Sequence, residues 1–308
     1  MNCILPLVSS DNKKPLSEKH LKAVERCLSI KSTKSRWLSP GKAADLHLTD
    51  KPVGPARLQL ESFLAEDRID FFIISDTHKR KKRLLVADMD NTMIVGETLD
   101  ELAGQCGLKE QIAQITDLAM RGEIDFKTAL QKRVAMLKDL PEQALQKTLA
   151  DIRHMPGAEV LVDTMRRYGA KCVMVSGGFT CFTEPIAAEL GFHANHGNIL
   201  EIRGGRLTGK VHNPILDHQA KLSFLQHYQA VSGLDSTEIL AVGDGANDLS
   251  MIQAAGLGVG YHPKPYLKDR VTNNILYGDL TALLYAQGYE HFVNIHQHPL
   301  CARSDRRA

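Results

Sequence analysis

Residues 84 to 92 constrain this chain more than any other stretch. Leu84-Leu85-Val86-Ala87 is a short aliphatic run that reads as a buried strand, and it ends without a spacer in Asp88-Met89-Asp90-Asn91-Thr92. Two acids at i and i+2 beside a core repel each other and are poorly solvated there, so stability alone does not account for them. A magnesium ion and a phosphoryl group would. A turn that happens to carry two aspartates is the ordinary alternative.

Two further runs repeat the pattern. The apolar stretches 170–175 and 239–242 end in Ser176 and in Gly243-Asp244, with helical segments between them. Strands alternating with helices and gathering small or acidic residues at their C-termini predict an α/β fold with a Rossmann-like parallel sheet. Between the first two strands lie about 80 residues of mostly helical pattern. Within them, 126–137 is an amphipathic helix that stops at Asp139-Leu140-Pro141. The expected layout is a core formed by 81–98 and 156–300, a helical cap at 99–155 inserted after the first core strand, and a flexible tail at 301–308. Arg203-Gly204-Gly205, set between two β-like runs, predicts a hairpin.

The first 80 residues form a separate small α+β domain in this reading, with strands at 3–8 and 69–74 and helices near 18–28 and 53–64. No element is assigned to the Ser/Lys-rich stretch 29–36 or to the Pro/Gly-rich stretch 39–55. The basic run 78–83 (HKRKKR) reads as a solvated junction rather than a nucleic-acid site, since the net charge of the whole chain is only +2. No apolar stretch approaches the roughly 20 residues needed to cross a bilayer. Residues 3–8 lack the charged flank of a signal peptide. Six cysteines without a C-x-x-C spacing fit reduced thiols, and the expected location is cytoplasmic. His193, His196 and His212 are expected at the surface, and the tail residues His291, His296, His298, Arg303, Arg306 and Arg307 are expected to be mobile.

Three more pieces carry chemistry. Ser176-Gly177-Gly178 follows a strand, where a hydroxyl and close-approaching amides can hold a phosphate oxygen, although alone it is most often a turn. Lys221 opens a helical segment and could neutralise phosphate, although alone it would read as a solvated lysine. Gly243-Asp244-Gly245-Ala246-Asn247-Asp248 sets two acids among small residues after a strand. Oxygen ligands without histidine favour a hard ion such as Mg²⁺. In the first piece, a carboxylate can attack phosphorus and a second can shuttle the proton.

With all four pieces in order, residues from 84 to about 285 resemble the haloacid-dehalogenase-like phosphatases, and among them the phosphoserine phosphatases. The resemblance implies that Asp88 is the nucleophile and Asp90 the general acid/base. Mg²⁺ would be held by Asp88, the Asp90 carbonyl and Asp244, with Asp248 in support. Ser176, Gly177, Lys221 and Asn247 would hold the phosphoryl side. It places Glu97 on the substrate ammonium. The segment 120–126 followed by Gln131-Lys132-Arg133-Val134 is similar to that family's cap, with Phe126 shielding the site and Arg133 on the substrate carboxylate. The implied substrate is O-phospho-L-serine, and the implied place is the last step of serine biosynthesis. No nucleic-acid or membrane partner is expected. The oligomeric state stays open, with a homodimer among the options. An ACT-like sensing role for residues 1–80, and phosphotransfer to an alcohol such as homoserine, remain alternatives.

Overall fold

A computed structural model describes residues 2–292, apart from Asn12, Lys31, Lys51, Val53, His78, Arg121 and Gly122. The tail expected at 301–308 and two residues of the cap segment 120–126 therefore lie outside the described residues.

The N-terminal unit runs β1 (Cys3–Ser9), α1 (Glu18–Leu28), β2 (Lys34–Ser39), β3 (Ala43–Leu48), α2 (Pro55–Ala65), β4 (Ile69–Phe71) and β5 (Ile74–Ser75). The strands lie in the order β2-β3-β1-β4, with β5 also on β1, and every pairing is antiparallel. That is a ferredoxin-like split βαβ arrangement. In α1 the buried residues Leu21, Val24 and Leu28 recur at helical spacing and form its inward face.

This unit is fused to the rest of the chain by shared packing. Val8, Leu38, Ala43, Phe72 and Ile74 belong to the same apolar cluster as the larger domain's core. Asp70, 2% exposed, accepts backbone N–H groups of Leu276 (2.7 Å), Tyr277 (3.2 Å) and Gly278 (2.7 Å). Part of the basic run, expected to be solvated, is taken up by packing here, while Lys81 and Arg83 stay exposed. Arg80 grips fully buried Asp45 with two bonds of 2.7 and 2.8 Å. Lys82, itself buried, donates to the carbonyls of Thr237 (2.7 Å) and Lys79 (2.9 Å). Lys81 lies over the rings of Tyr168 and Tyr289. A carboxylate buried in strand β3 needed a partner, and the junction supplies it.

The larger domain begins with β6 (Leu84–Ala87), followed by four helices of the insert: α3 (Thr98–Gly104), α4 (Lys109–Met120), α5 (Phe126–Ala135) and α6 (Gln143–Asp151). Then come α7 (Ala158–Arg167), β7 (Lys171–Phe179), α8 (Thr180–Leu190), β8 (Ala194–Asn198), a hairpin of β9 (Leu200–Arg203) and β10 (Arg206–Val211), and α9 (His218–Val231). The chain continues with β11 (Ile239–Gly243), α10 (Leu249–Ala254), β12 (Leu257–Tyr261), α11 (Pro265–Lys268), β13 (Asn273–Ile275) and α12 (Ala282–Ala286). The sheet order is β13-β12-β11-β6-β7-β8, and all pairs are parallel. The fold class is thus the expected α/β one.

All four residues of β6 are buried, as a central strand covered on both faces requires. Leu85 and Ala87 join one apolar cluster, and Leu84 and Val86 the opposite one, so the two-residue period of the strand divides the core into two layers. Each fully buried Leu or Val contributes about 1.5–3 kcal/mol. Register does the rest. Ala87 stands opposite Val242 and Met174, which brings Asp88, Ser176 and Asp244 out along one edge.

The insert leaves and re-enters through paired backbone. Val95 N–H donates to Arg153 (2.9 Å) and Met155 N–H to Met93 (2.9 Å). The β9–β10 hairpin packs on the inserted segment, where Asp139 N–H donates to Leu207 (2.8 Å) and Leu207 N–H to Leu140 (2.9 Å). From α5, Lys127 Nζ reaches Asp217 Oδ2 at 3.2 Å, tying α5 to the start of α9. His196, expected at the surface, is half-buried, stacked on Phe224 and bonded to Tyr228. Among the described residues, no helix is long and apolar enough to cross a membrane.

Candidate active site

Asp88 follows β6 and is 4% exposed. Its Oδ1 accepts the Met89 N–H (2.8 Å) and lies 2.7 Å from Lys221 Nζ. The same Nζ donates to Asp248 Oδ1 at 2.6 Å. Lys221 is placed by α9, whose N-cap Asp217 accepts the N–H groups of Gln219 and Ala220, so the lysine projects from the first turn. Burial opposes its charge, but Asp248 and Asp88 outweigh burial and hold it as an ammonium. Asp248 also accepts the Gly245 N–H at 3.0 Å. A Cβ at position 243 would run into the Asp248 carboxylate, which explains glycine there.

Asp90 is held differently. Its Oδ1 accepts the Thr98 N–H (2.8 Å), and Ser176 Oγ lies 3.4 Å from its Oδ2. Burial first, then the charge of Glu97, pushes its pKa up to about 7 against the Thr98 hydrogen bond. The left-handed backbone at Asn91 (φ 52°) helps fold the turn that aims it. The Gly178 N–H donates to Ser176 Oγ at 2.9 Å, and a Cβ on Gly178 would lie 3.0 Å from Asp90 Oδ2. Asn198, fully paired and buried, holds the Gly177 carbonyl at 2.8 Å. Phe126 stands over this loop, with Cζ 3.2 Å from where a Gly177 Cβ would be.

The remaining expected residues gather at the mouth. Glu97 Oε1 accepts Asn91 Nδ2 at 2.7 Å. Arg133 is half-buried on α5 and donates from Nη1 to Thr116 Oγ1 at 3.4 Å. Burial lowers its pKa, opposed by the charges of Asp100, Glu97 and Asp90, which lie within electrostatic reach. Asn247 sits half-buried in the turn just before Asp248.

Sequence reasoning missed Lys264. Its Nζ lies 3.2 Å from Asp244 Oδ2 and 3.3 Å from Glu97 Oε1, and its N–H donates to the Asp244 carbonyl at 2.9 Å. The available signal was Pro263-Lys264-Pro265, a stiff turn just past β12. Asp100, within reach of Arg133, and Asn198 were missed as well, and neither carries a motif.

Asp88, Asp244 and Asp248 offer carboxylate oxygens within 4.8 Å of one another, all buried. Burial and their mutual repulsion push Asp88 well above the usual carboxylate range and Asp244 up to about 6. Such crowded oxygen donors, rich in negative charge, fit a divalent cation.

The family model for haloacid dehalogenase-like hydrolases matches residues 85–253. The chain belongs to this family. It is 39% identical over 237 residues to a phosphoserine phosphatase of Mycobacterium tuberculosis, covering 77% of this chain and 58% of that one. With a phosphoserine phosphatase of Streptococcus thermophilus it shares 41% over 199 residues, 65% of this chain and 93% of the other. Among solved structures, a probable phosphoserine phosphatase from Vibrio cholerae superposes with a TM-score of 0.76 at 29% identity, over 94% of this chain and 87% of that one. The chain spans about three-fifths of the length of the mycobacterial relative and of several others.

Proposed function

We propose that the chain is a Mg²⁺-dependent phosphoserine phosphatase. Its core chemistry needs a nucleophile, an acid/base and charge compensation, and the edge of the sheet offers Asp88, Asp90 and Lys221 for those parts. The observation that carries the substrate assignment is at the mouth, where Glu97 and Arg133 both lie within electrostatic reach of Asp90. A carboxylate and a guanidinium that influence one site can match the ammonium and carboxylate of one ligand. The named relatives support the same choice.

Asp88 attacks phosphorus while Asp90 gives its proton to the departing seryl oxygen, forming serine and an aspartyl phosphate. Asp90, now ionised, takes a proton from water as that water attacks phosphorus. The P–O bond to Asp88 breaks, phosphate leaves, and both carboxyl groups return to their starting states. Asp90, with a pKa near 7, suits both halves. Lys221, Ser176 Oγ and the amide at Gly177, with Asn247 nearby, offset charge on the transferring group. Phe126 and the cap exclude water while Arg133 orients the substrate. Asp88, the Asp90 carbonyl and Asp244 would hold Mg²⁺, with Asp248 supporting, and the ion would supply Lewis-acid charge stabilisation.

In this reading 99–155 is the lid and 1–80 an accessory domain. Cys27, Cys106, Cys172 and Cys181 are free thiols, which fits a reducing compartment that we take as the cytoplasm. The test is phosphate release from O-phospho-L-serine with and without chelator. Rapid release that chelation stops supports the assignment. Negligible release, with robust turnover of other phosphomonoesters or transfer to homoserine, overturns it.

A further inference from the structure

Lys264 is unaccounted for by the chemistry above, yet it touches two of its carboxylates. One ammonium bridges Glu97 and Asp244 at 3.3 and 3.2 Å, and its own N–H is bonded to the Asp244 carbonyl. It is fixed from below by the stiff turn Pro263-Lys264-Pro265 at the end of β12, the strand next to β11 that carries Asp244. The side chain is 41% exposed, so it can leave toward solvent without breaking the core.

We infer that Lys264 is a positioning residue and an internal stand-in for the substrate ammonium: it bridges Glu97 and Asp244 and gives both up to metal and substrate. The amine half of this inference rests on the phosphoserine reading, and the metal half does not.

Two consequences follow from charge alone. A cation beside Asp244 repels an incoming divalent ion, so removing it tightens metal binding. A cation already on Glu97 also satisfies that carboxylate when the bound ligand has no ammonium. Lys264 therefore makes the site tolerant of such ligands. Without it, a ligand lacking the amine leaves half-buried Glu97 with the Asn91 amide but no cation beside it, and is disfavoured. Lys264→Arg keeps the charge and should keep both properties.

The experiment uses the full chain stripped of metal. Calorimetric titration with Mg²⁺ is run on the parent, Lys264→Met and Lys264→Arg. Turnover of O-phospho-L-serine is then compared with 3-phosphooxypropionate, the same skeleton without the amine. Lys264→Met should bind Mg²⁺ about tenfold more tightly, the order expected for removing one part-exposed charge that sits against a would-be ligand of a divalent ion. Its preference for phosphoserine over the amine-free analogue should rise about fivefold, while Lys264→Arg stays near the parent in both. Unchanged or weaker Mg²⁺ binding by Lys264→Met, or an unchanged preference, overturns the inference. Should the parent not hydrolyse phosphoserine at all, the functional reading fails and the Mg²⁺ titration alone decides the role of Lys264.

Discussion

Lys221 Nζ lies 2.7 Å from Asp88 Oδ1, with the two side chains only 3% and 5% exposed. An ammonium sealed against the proposed nucleophile has two effects at once. It compensates a cluster of acids that would otherwise repel one another, and in the proposed reaction it stands where charge on the transferring phosphoryl group needs an opposite.

Lys221→Met should therefore damage both stability and catalysis. Removing one partner of a buried ion pair costs about 3–5 kcal/mol, seen as a lower denaturant midpoint at neutral pH. In the folded fraction, kcat should fall by about a hundredfold or more. Added Mg²⁺ should recover part of the stability, since a divalent ion replaces the lost positive charge.

The proposed function gives Arg133 the choice of substrate. Arg133→Ala should lower kcat/KM for O-phospho-L-serine by about a hundredfold, the scale of one charge-assisted bidentate contact. O-phosphoethanolamine, which keeps the amine and lacks the carboxylate, should change by no more than about threefold. Equal losses on the two substrates would refute the pairing of Arg133 with a carboxylate.

Asp70 ties the N-terminal unit to residues Leu276, Tyr277 and Gly278, and burial pushes its pKa up to about 6 despite their three hydrogen bonds. A folded pKa above the unfolded one means the folded chain holds the proton more tightly. Its stability contribution is thus full below about pH 4 and is lost as pH rises through about 6. The stability of the parent minus that of Asp70→Asn should accordingly shrink by about 3 kcal/mol between those limits, read from urea melts across pH. A difference that is flat or grows with pH would contradict the role of burial at Asp70.

Much of the site was legible because its residues follow strands. The aliphatic run before Asp88, and the matching runs before Ser176 and Asp244, have the two-residue period of a sheet buried on both faces, and parallel register then aligns their ends. Strands β2 and β3 were not legible. One is a largely exposed edge of Lys, Ser and Arg, and the other buries Asp45, whose partner Arg80 lies 35 residues downstream. The same distance problem turned a basic run into an expected solvated junction. Lys264 was hidden for a related reason: its partners, Glu97 and Asp244, come from far-apart segments joined only by the fold.

The most direct test of the account is rapid-quench labelling of the Mg²⁺-loaded chain with O-phospho-L-serine carrying ³²P. The account predicts an acid-stable, hydroxylamine-labile label that appears within the first turnover, maps to the peptide holding Asp88, and vanishes in Asp88→Asn while that variant keeps its fold. Turnover without any label on Asp88, or near-normal turnover by Asp88→Asn, would contradict it.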